Sequence, residues 1–269
     1  MMERMGALID IVVSIVKNLV YDLAACIGLM YLLAVCVMHM DIYGSFFQMA
    51  RRRMLVLTAY PTNECTFFGP LIVRISADKD SQIYLLSLCR DADEDTDAMW
   101  RCCNFLGIPD SHVTMFRSDH LPKHARERWR EEDMMQVILY QVESLDIDAL
   151  VTFDWKGVTG DYSHTSMFHA VAHLMVGGKL PSSCRVFVLE TVSLSSGRLG
   201  ILDVPLSLSA QSYAFVASTQ QRKHIMRALR QHTKSSQVFG QHFRYSGVNT
   251  LREIDVMELV LENSYSLFE

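Results

Sequence analysis

A Rossmann-like α/β domain, its mostly parallel sheet covered by helices on both faces and preceded by an N-terminal transmembrane helix, is the architecture this sequence predicts. Three observations predict it. Short, uniformly apolar runs alternate with amphipathic stretches from residue 54 onward, the pattern of strands buried on both faces and of the helices that cover them. The run Leu23–Met40 has His39 as its one clearly polar member. Two of the later apolar runs end abruptly in polar turns, where open α/β sheets carry their chemistry.

The elements follow in order. At about 1.5 Å per residue, Leu23–Met40 is roughly 27 Å long as a helix, close to the hydrocarbon thickness of a bilayer. Ile9–Val20 is also apolar but contains Asp10, Lys17 and Asn18; it either lengthens the span or lies in the interface. No basic segment precedes a short apolar core with a small-residue cleavage site, so the segment reads as a retained anchor rather than a cleaved signal. Arg51-Arg52-Arg53 follows it, and basic flanks stay cytoplasmic, which orients the C-terminal domain to the cytosol. Strands are expected at Met54–Tyr60, Gln82–Leu88, Val113–Phe116, Ala149–Phe153 and Arg185–Val192. Helices are expected at Ala92–Leu106, Arg130–Leu145, Ser163–Met175 and Gln220–His232. The division that results is an anchor over 1–50 with its span at about 23–40, an α/β domain over 51–245, and a C-terminal tail over 246–269.

Composition narrows the classes. With 269 residues, half of them apolar, the chain can bury a substantial core. A formal charge of -5 argues against general nucleic-acid affinity. Seven cysteines, odd in number and without CxxC spacing, read as free thiols of a reducing compartment, not as a disulfide framework or zinc knuckle. No GxGxxG, Walker A loop or GxSxG elbow is present. His169 and His173 are four residues apart on one helix but lack an HExxH context and read as packing residues.

The first rich turn is Ala59-Tyr60-Pro61-Thr62-Asn63-Glu64, followed by Phe67-Phe68-Gly69-Pro70; the second runs from Val151-Thr152-Phe153-Asp154 through Gly157-Val158-Thr159-Gly160-Asp161-Tyr162-Ser163-His164. Together they resemble the PIG-L/LmbE-like family of zinc-dependent de-N-acetylases, and most closely its eukaryotic branch, which deacetylates N-acetylglucosaminyl-phosphatidylinositol in GPI-anchor biosynthesis. The family's AHPDDE motif is answered by the first turn, and its VTFDxxGVSGHxNH by the second. Supporting likenesses are Leu106-Gly107-Ile108-Pro109, Gly178-Lys179-Leu180-Pro181, Leu202-Asp203-Val204-Pro205, and His232 with Ser235-Ser236-Gln237 in place of an HxSQ. The resemblance implies an endoplasmic-reticulum membrane protein with one span, a cytosolic catalytic domain, a zinc cofactor and a glycolipid substrate, with Asp154 and His232 at substrate-binding positions.

The resemblance also locates what this chain lacks. It implies zinc ligands at Tyr60, Asn63 and His164, a general base at Thr62 and an oxyanion-stabilising residue at Asp161. Of these, His164 alone keeps a competent ligand. Tyr60 has an ordinary pKa near 10, Asn63 offers a neutral oxygen, and Thr62 has no useful basicity near pH 7. An anion at Asp161 would repel a developing oxyanion. Asp95, in the acidic run Arg90–Asp97, stands where the family carries a substrate-binding Arg. The expectation is a family protein with little or no deacetylase activity and weak or absent zinc. Two alternatives stay open: an active deacetylase with an atypical metal site, for instance from Glu64, Asp154, Asp161 and His164, or a non-catalytic interaction scaffold.

Overall fold

Strand order, not strand count, positions the site. The computed structural model describes residues 2–40, 52–89, 96–118, 121, 128–191, 212–232 and 245–260. Its strands are β1 (Arg52–Thr58), β2 (Ser81–Cys89), β3 (Val113–Arg117), β4 (Ala149–Phe153), β5 (Arg185–Leu189), β6 (Ser212–Val216) and β7 (Val248–Ile254). They form one sheet in the order β3-β2-β1-β4-β5-β7-β6. The pairings from β3 across to β5 are parallel, and β7 runs antiparallel to both β5 and β6. The order reverses between β1 and β4, and a crevice opens outside the carboxyl ends of strands at such a point. Both polar turns begin there.

The helices are α1 (Met2–Met40), α2 (Asn63–Ser76), α3 (Thr96–Leu106), α4 (Glu131–Ser144), α5 (Gly157–Gly160), α6 (Tyr162–Val176) and α7 (Thr219–Leu229). Helices α2, α3 and α7 pack together, and α4 packs on α6. Met54–Leu57 and Ala149–Val151 are wholly buried, as strands covered on both faces must be. Helix α7 starts on a capping box in which Ser218 and Gln221 exchange side-chain and backbone bonds.

The anchor helix is continuous over Met2–Met40, and among the described residues Val12–Leu33 is long and apolar enough to span, overlapping the expected 23–40. Helical backbone satisfies its own hydrogen bonds, so Lys17 and Asp22 do not interrupt the helix. Two expectations are corrected. The supposed tail contributes β7, which fills the space between β5 and β6. The cysteines are not all free: Cys65 and Cys102, 37 residues apart, are joined as a disulfide where α2 meets α3. Their pairing depends on helix packing and leaves no short-range spacing signal.

The first polar turn was not expected to open a helix, yet Asn63 begins α2, which contains Pro70. Proline inside a helix disturbs the backbone ladder. Asn249 of β7 enters the disturbed turn: its Oδ1 accepts from Leu71 N at 3.0 Å, and its Nδ2 donates to Phe67 O at 2.6 Å. A side-chain amide thus bridges a donor and an acceptor that an undisturbed helix would join directly.

Candidate functional site

At the end of β1 the chain turns sharply at Thr62, whose φ of 95° is left-handed. A β-branched residue there is an outlier, with a strain on the order of 1–3 kcal/mol that the surroundings must hold. They hold it by hydrogen bonds. Asn63 Oδ1 accepts from Ala59 N at 3.2 Å and Tyr60 N at 3.0 Å, and Glu64 Oε2 accepts from Thr62 N at 2.9 Å.

The second turn is braced by Asp154. Its Oδ1 accepts from Lys156 N and Gly157 N, both at 3.1 Å, and from Thr191 Oγ1 at 2.6 Å; its Oδ2 accepts from Thr191 N at 2.7 Å. Val158 is a second β-branched residue at positive φ, 55°. Gly157 has φ 66°, and a Cβ there would meet Thr165 Cγ2 at 2.9 Å, so glycine is required. Asp161 caps α6, accepting from Ser163 N at 2.9 Å and Ser163 Oγ at 2.7 Å.

These braces deliver His164, 2% exposed, into the crevice. Its ring stacks on Phe153 at 3.9 Å and meets Phe67 edge-on at 5.6 Å. Nδ1 lies 3.0 Å from Gly157 O, and Nε2 lies 3.3 Å from Asn63 Oδ1. Gly157 O and Asn63 Oδ1 are both acceptors, so a neutral ring donates to one of them and not to both, and Nε2 faces the Asn63 oxygen rather than an open position.

Of the residues singled out in the sequence, the structure brings Asn63 and His164 together. The Tyr60 ring packs edge-on against Trp129 at 5.7 Å. Thr62 is defined by its backbone, Asp154 by the loop it braces and Asp161 by its cap. His232 Nε2 lies 2.8 Å from Glu64 Oε1 in a buried pair. Asp95, Leu202–Pro205 and Ser235–Gln237 are outside the described residues.

The described residues around His164 do not by themselves fit a hydrolytic zinc. Such a centre needs about three electron-rich protein donors and an open position. Here one imidazole faces a neutral amide oxygen already engaged by two backbone N–H groups, and among the described residues no third His, Cys, Asp or Glu donor joins His164. The alternative set of Glu64, Asp154, Asp161 and His164 does not assemble either, because Glu64 turns to His232 and the two aspartates bond their own loops. The donors that do cluster are Glu64, Cys65, Cys102 and His232. Sequence reasoning named Glu64 and His232 in other roles but missed the cluster, because its members come from three places along the chain.

The sheet order, the switch-point crevice and the two braced turns define an LmbE-like deacetylase fold. In keeping with this, the structure is similar to that of the N,N'-diacetylchitobiose deacetylase of Pyrococcus horikoshii, with a TM-score of 0.55 and 10% identity, covering 82% of this chain and 90% of that one. No protein-family profile matches the chain. Among curated proteins it is 31% identical over 209 residues to the N-acetylglucosaminyl-phosphatidylinositol de-N-acetylase of Bos taurus, covering 74% of this chain and 82% of the relative. It is 24% identical over 171 residues to the probable N-acetylglucosaminyl-phosphatidylinositol de-N-acetylase of Schizosaccharomyces pombe, covering 61% of this chain and 68% of the relative. The chain belongs to the N-acetylglucosaminyl-phosphatidylinositol de-N-acetylase family.

Proposed function

We propose that this chain acts in GPI-anchor biosynthesis as a single-pass protein of the endoplasmic-reticulum membrane, its cytosolic domain holding an N-acetylglucosaminyl-phosphatidylinositol-type glycolipid without hydrolysing the acetamide. The family supports the pathway and the ligand class. The apolar helix Val12–Leu33, none of it buried in the protein, supports the anchor, and the basic triplet Arg51-Arg52-Arg53 supports the orientation.

One observation carries the loss of turnover: Asn63 Oδ1 occupies the space before His164 Nε2 as a neutral, already bonded oxygen. Amide hydrolysis needs a water deprotonated for attack and an electrophile for the oxyanion. The Thr62 hydroxyl accepts no proton near neutral pH, and Asp161 opposes negative charge. What the residues supply is recognition. Trp155 and Tyr162, 50% and 42% exposed, flank the second turn with aromatic rings suited to a sugar, and Lys156 and Arg128 lie over those rings as cations for a phosphate.

The test is rescue of deacetylase-deficient cells, paired with glycolipid binding in bicelles. The native chain is expected to bind and not to rescue; the variant Tyr60→His, Thr62→Asp, Asn63→Asp is expected to gain zinc-dependent turnover. Rescue by the native chain equal to that by the restored variant overturns the reading.

A further inference from the structure

Beside the β1–α2 turn four potential metal donors cluster without His164. Glu64 and Cys65 from α2, Cys102 from α3 and His232 just past α7 bring one donor atom each within 4.8 Å of one another. Glu64, Cys65 and Cys102 are wholly buried and His232 is 3% exposed. We propose that these four side chains form a closed structural zinc site that does not include His164 and that exchanges with the Cys65–Cys102 disulfide.

The donor set fits this metal. Two thiolates, an imidazole and a carboxylate suit a borderline-soft, tetrahedral ion, and the lack of an open, solvated position is the mark of a structural rather than a hydrolytic centre. The Cα atoms of Cys65 and Cys102 stand 7.3 Å apart, beyond the roughly 4.4–6.8 Å that disulfides usually span. Zinc–sulfur bonds near 2.3 Å place two sulfurs of a tetrahedral ion about 3.8 Å apart, which suits the wider Cα spacing.

The surroundings supply what such ligands need. His232 Nε2 and Glu64 Oε1 already face one another at 2.8 Å, and Cys65 Sγ lies 3.4 Å from the same Oε1. Glu64 Oε2 accepts from Thr62 N, the kind of outer hydrogen bond that fixes a ligating carboxylate. A wholly buried carboxylate–imidazole pair is expensive to keep dry, and a divalent cation between the groups removes much of that penalty. The ion would staple α2, α3 and the end of α7, which already pack together.

The exchange balances. A dithiol reductant passes two electrons and two protons to the Cys65–Cys102 bond, giving two thiols, and is itself oxidised to a disulfide. Zinc then displaces the two thiol protons to solvent. Oxidation by a disulfide oxidant reverses this and expels the ion.

The test uses the full chain in detergent micelles, reduced with dithiothreitol, equilibrated with Zn²⁺ and freed of excess metal. About one zinc per chain is expected, falling several-fold in Cys102→Ser and His232→Ala and unchanged in His164→Ala. Because substitution in a buried cluster can unfold the domain, unsubstituted protein loaded with Co²⁺ gives a second readout. It should show sulfur-to-cobalt charge-transfer absorption that oxidation abolishes. Reduced protein that takes no metal, or cobalt absorption without a sulfur band, overturns the proposal. So does zinc lost in His164→Ala but kept in Cys102→Ser, an outcome that would instead place the ion in the crevice.

Discussion

Asn249 completes the hydrogen bonding of Leu71 across the proline-disturbed turn of α2, joining the last strand of the sheet to the first helix after the anchor. Its amide also donates to Tyr245 O at 3.1 Å, so three backbone groups bond to one side chain. Asn249→Ala removes all three bonds and should lower unfolding stability by about 2–4 kcal/mol. Asn249→Asp keeps the shape but turns an acceptor toward two carbonyl oxygens, and should be no better. Urea midpoints at constant slope check this; wild-type midpoints for both variants would show the bridge to be dispensable.

The same contact explains what the sequence could and could not reveal. The inner strands were legible because parallel strands buried on both faces are uniformly apolar: Ala149–Phe153 was found to the residue. Helix α2 was hidden because Tyr60–Glu64 reads as a turn and Pro70 argues against a helix, while the group that makes Pro70 tolerable lies far away in sequence at Asn249. Strand β7 was hidden because Val248–Ile254 carries Asn249, Thr250, Arg252 and Glu253, a mixed pattern that only its place between β5 and β6 makes strand-like. At the site, the resemblance located Asn63 and His164 as neighbours. It could not tell that Asp154 and Asp161 bond their own loops, because that depends on rotamers and on the reach of Thr191.

Asp154 is that brace, and its four acceptor contacts make it sensitive to charge rather than to size. Asp154→Asn must aim its amide nitrogen at one of the donors, setting N–H against N–H. The expected loss is about 2–3 kcal/mol, with faster proteolysis in the loop Trp155–Asp161. If Asp154 acted on ligand alone, glycolipid binding would fall while stability and proteolysis stayed at wild-type values.

Gly69 meets α7 so closely that a Cβ there would lie 2.7 Å from Ile225 Cγ2. Gly69→Ala should therefore destabilise by about 1–3 kcal/mol, although alanine is the better helix former. Ile225→Ala removes the obstructing carbons. The double variant should recover part of the Gly69→Ala loss, giving a coupling of about 1 kcal/mol or more in a double-mutant cycle. Strict additivity would mean that the helices separate instead of clashing.

His169 on α6 supplies a pH dependence of known sign. Burial holds its pKa below the ordinary 6.5; Glu131 opposes that shift, and Arg128 and His173 reinforce it. Glu131 is itself engaged by His173, whose Nδ1 lies 2.6 Å from its Oε2. The folded protein thus binds the His169 proton more weakly than the unfolded chain does. Where the unfolded state holds more protons, stability rises with pH, so this group removes stability as pH falls below about 6.5 and adds none above it. His169→Gln, neutral throughout, should match wild type near pH 8 and become relatively more stable as pH is lowered toward about 5. Thermal unfolding of both proteins across that range measures the difference. A gap that stays constant, or that widens toward high pH, would mean that the native state favours the charged ring and that its neighbours, not its burial, govern the proton.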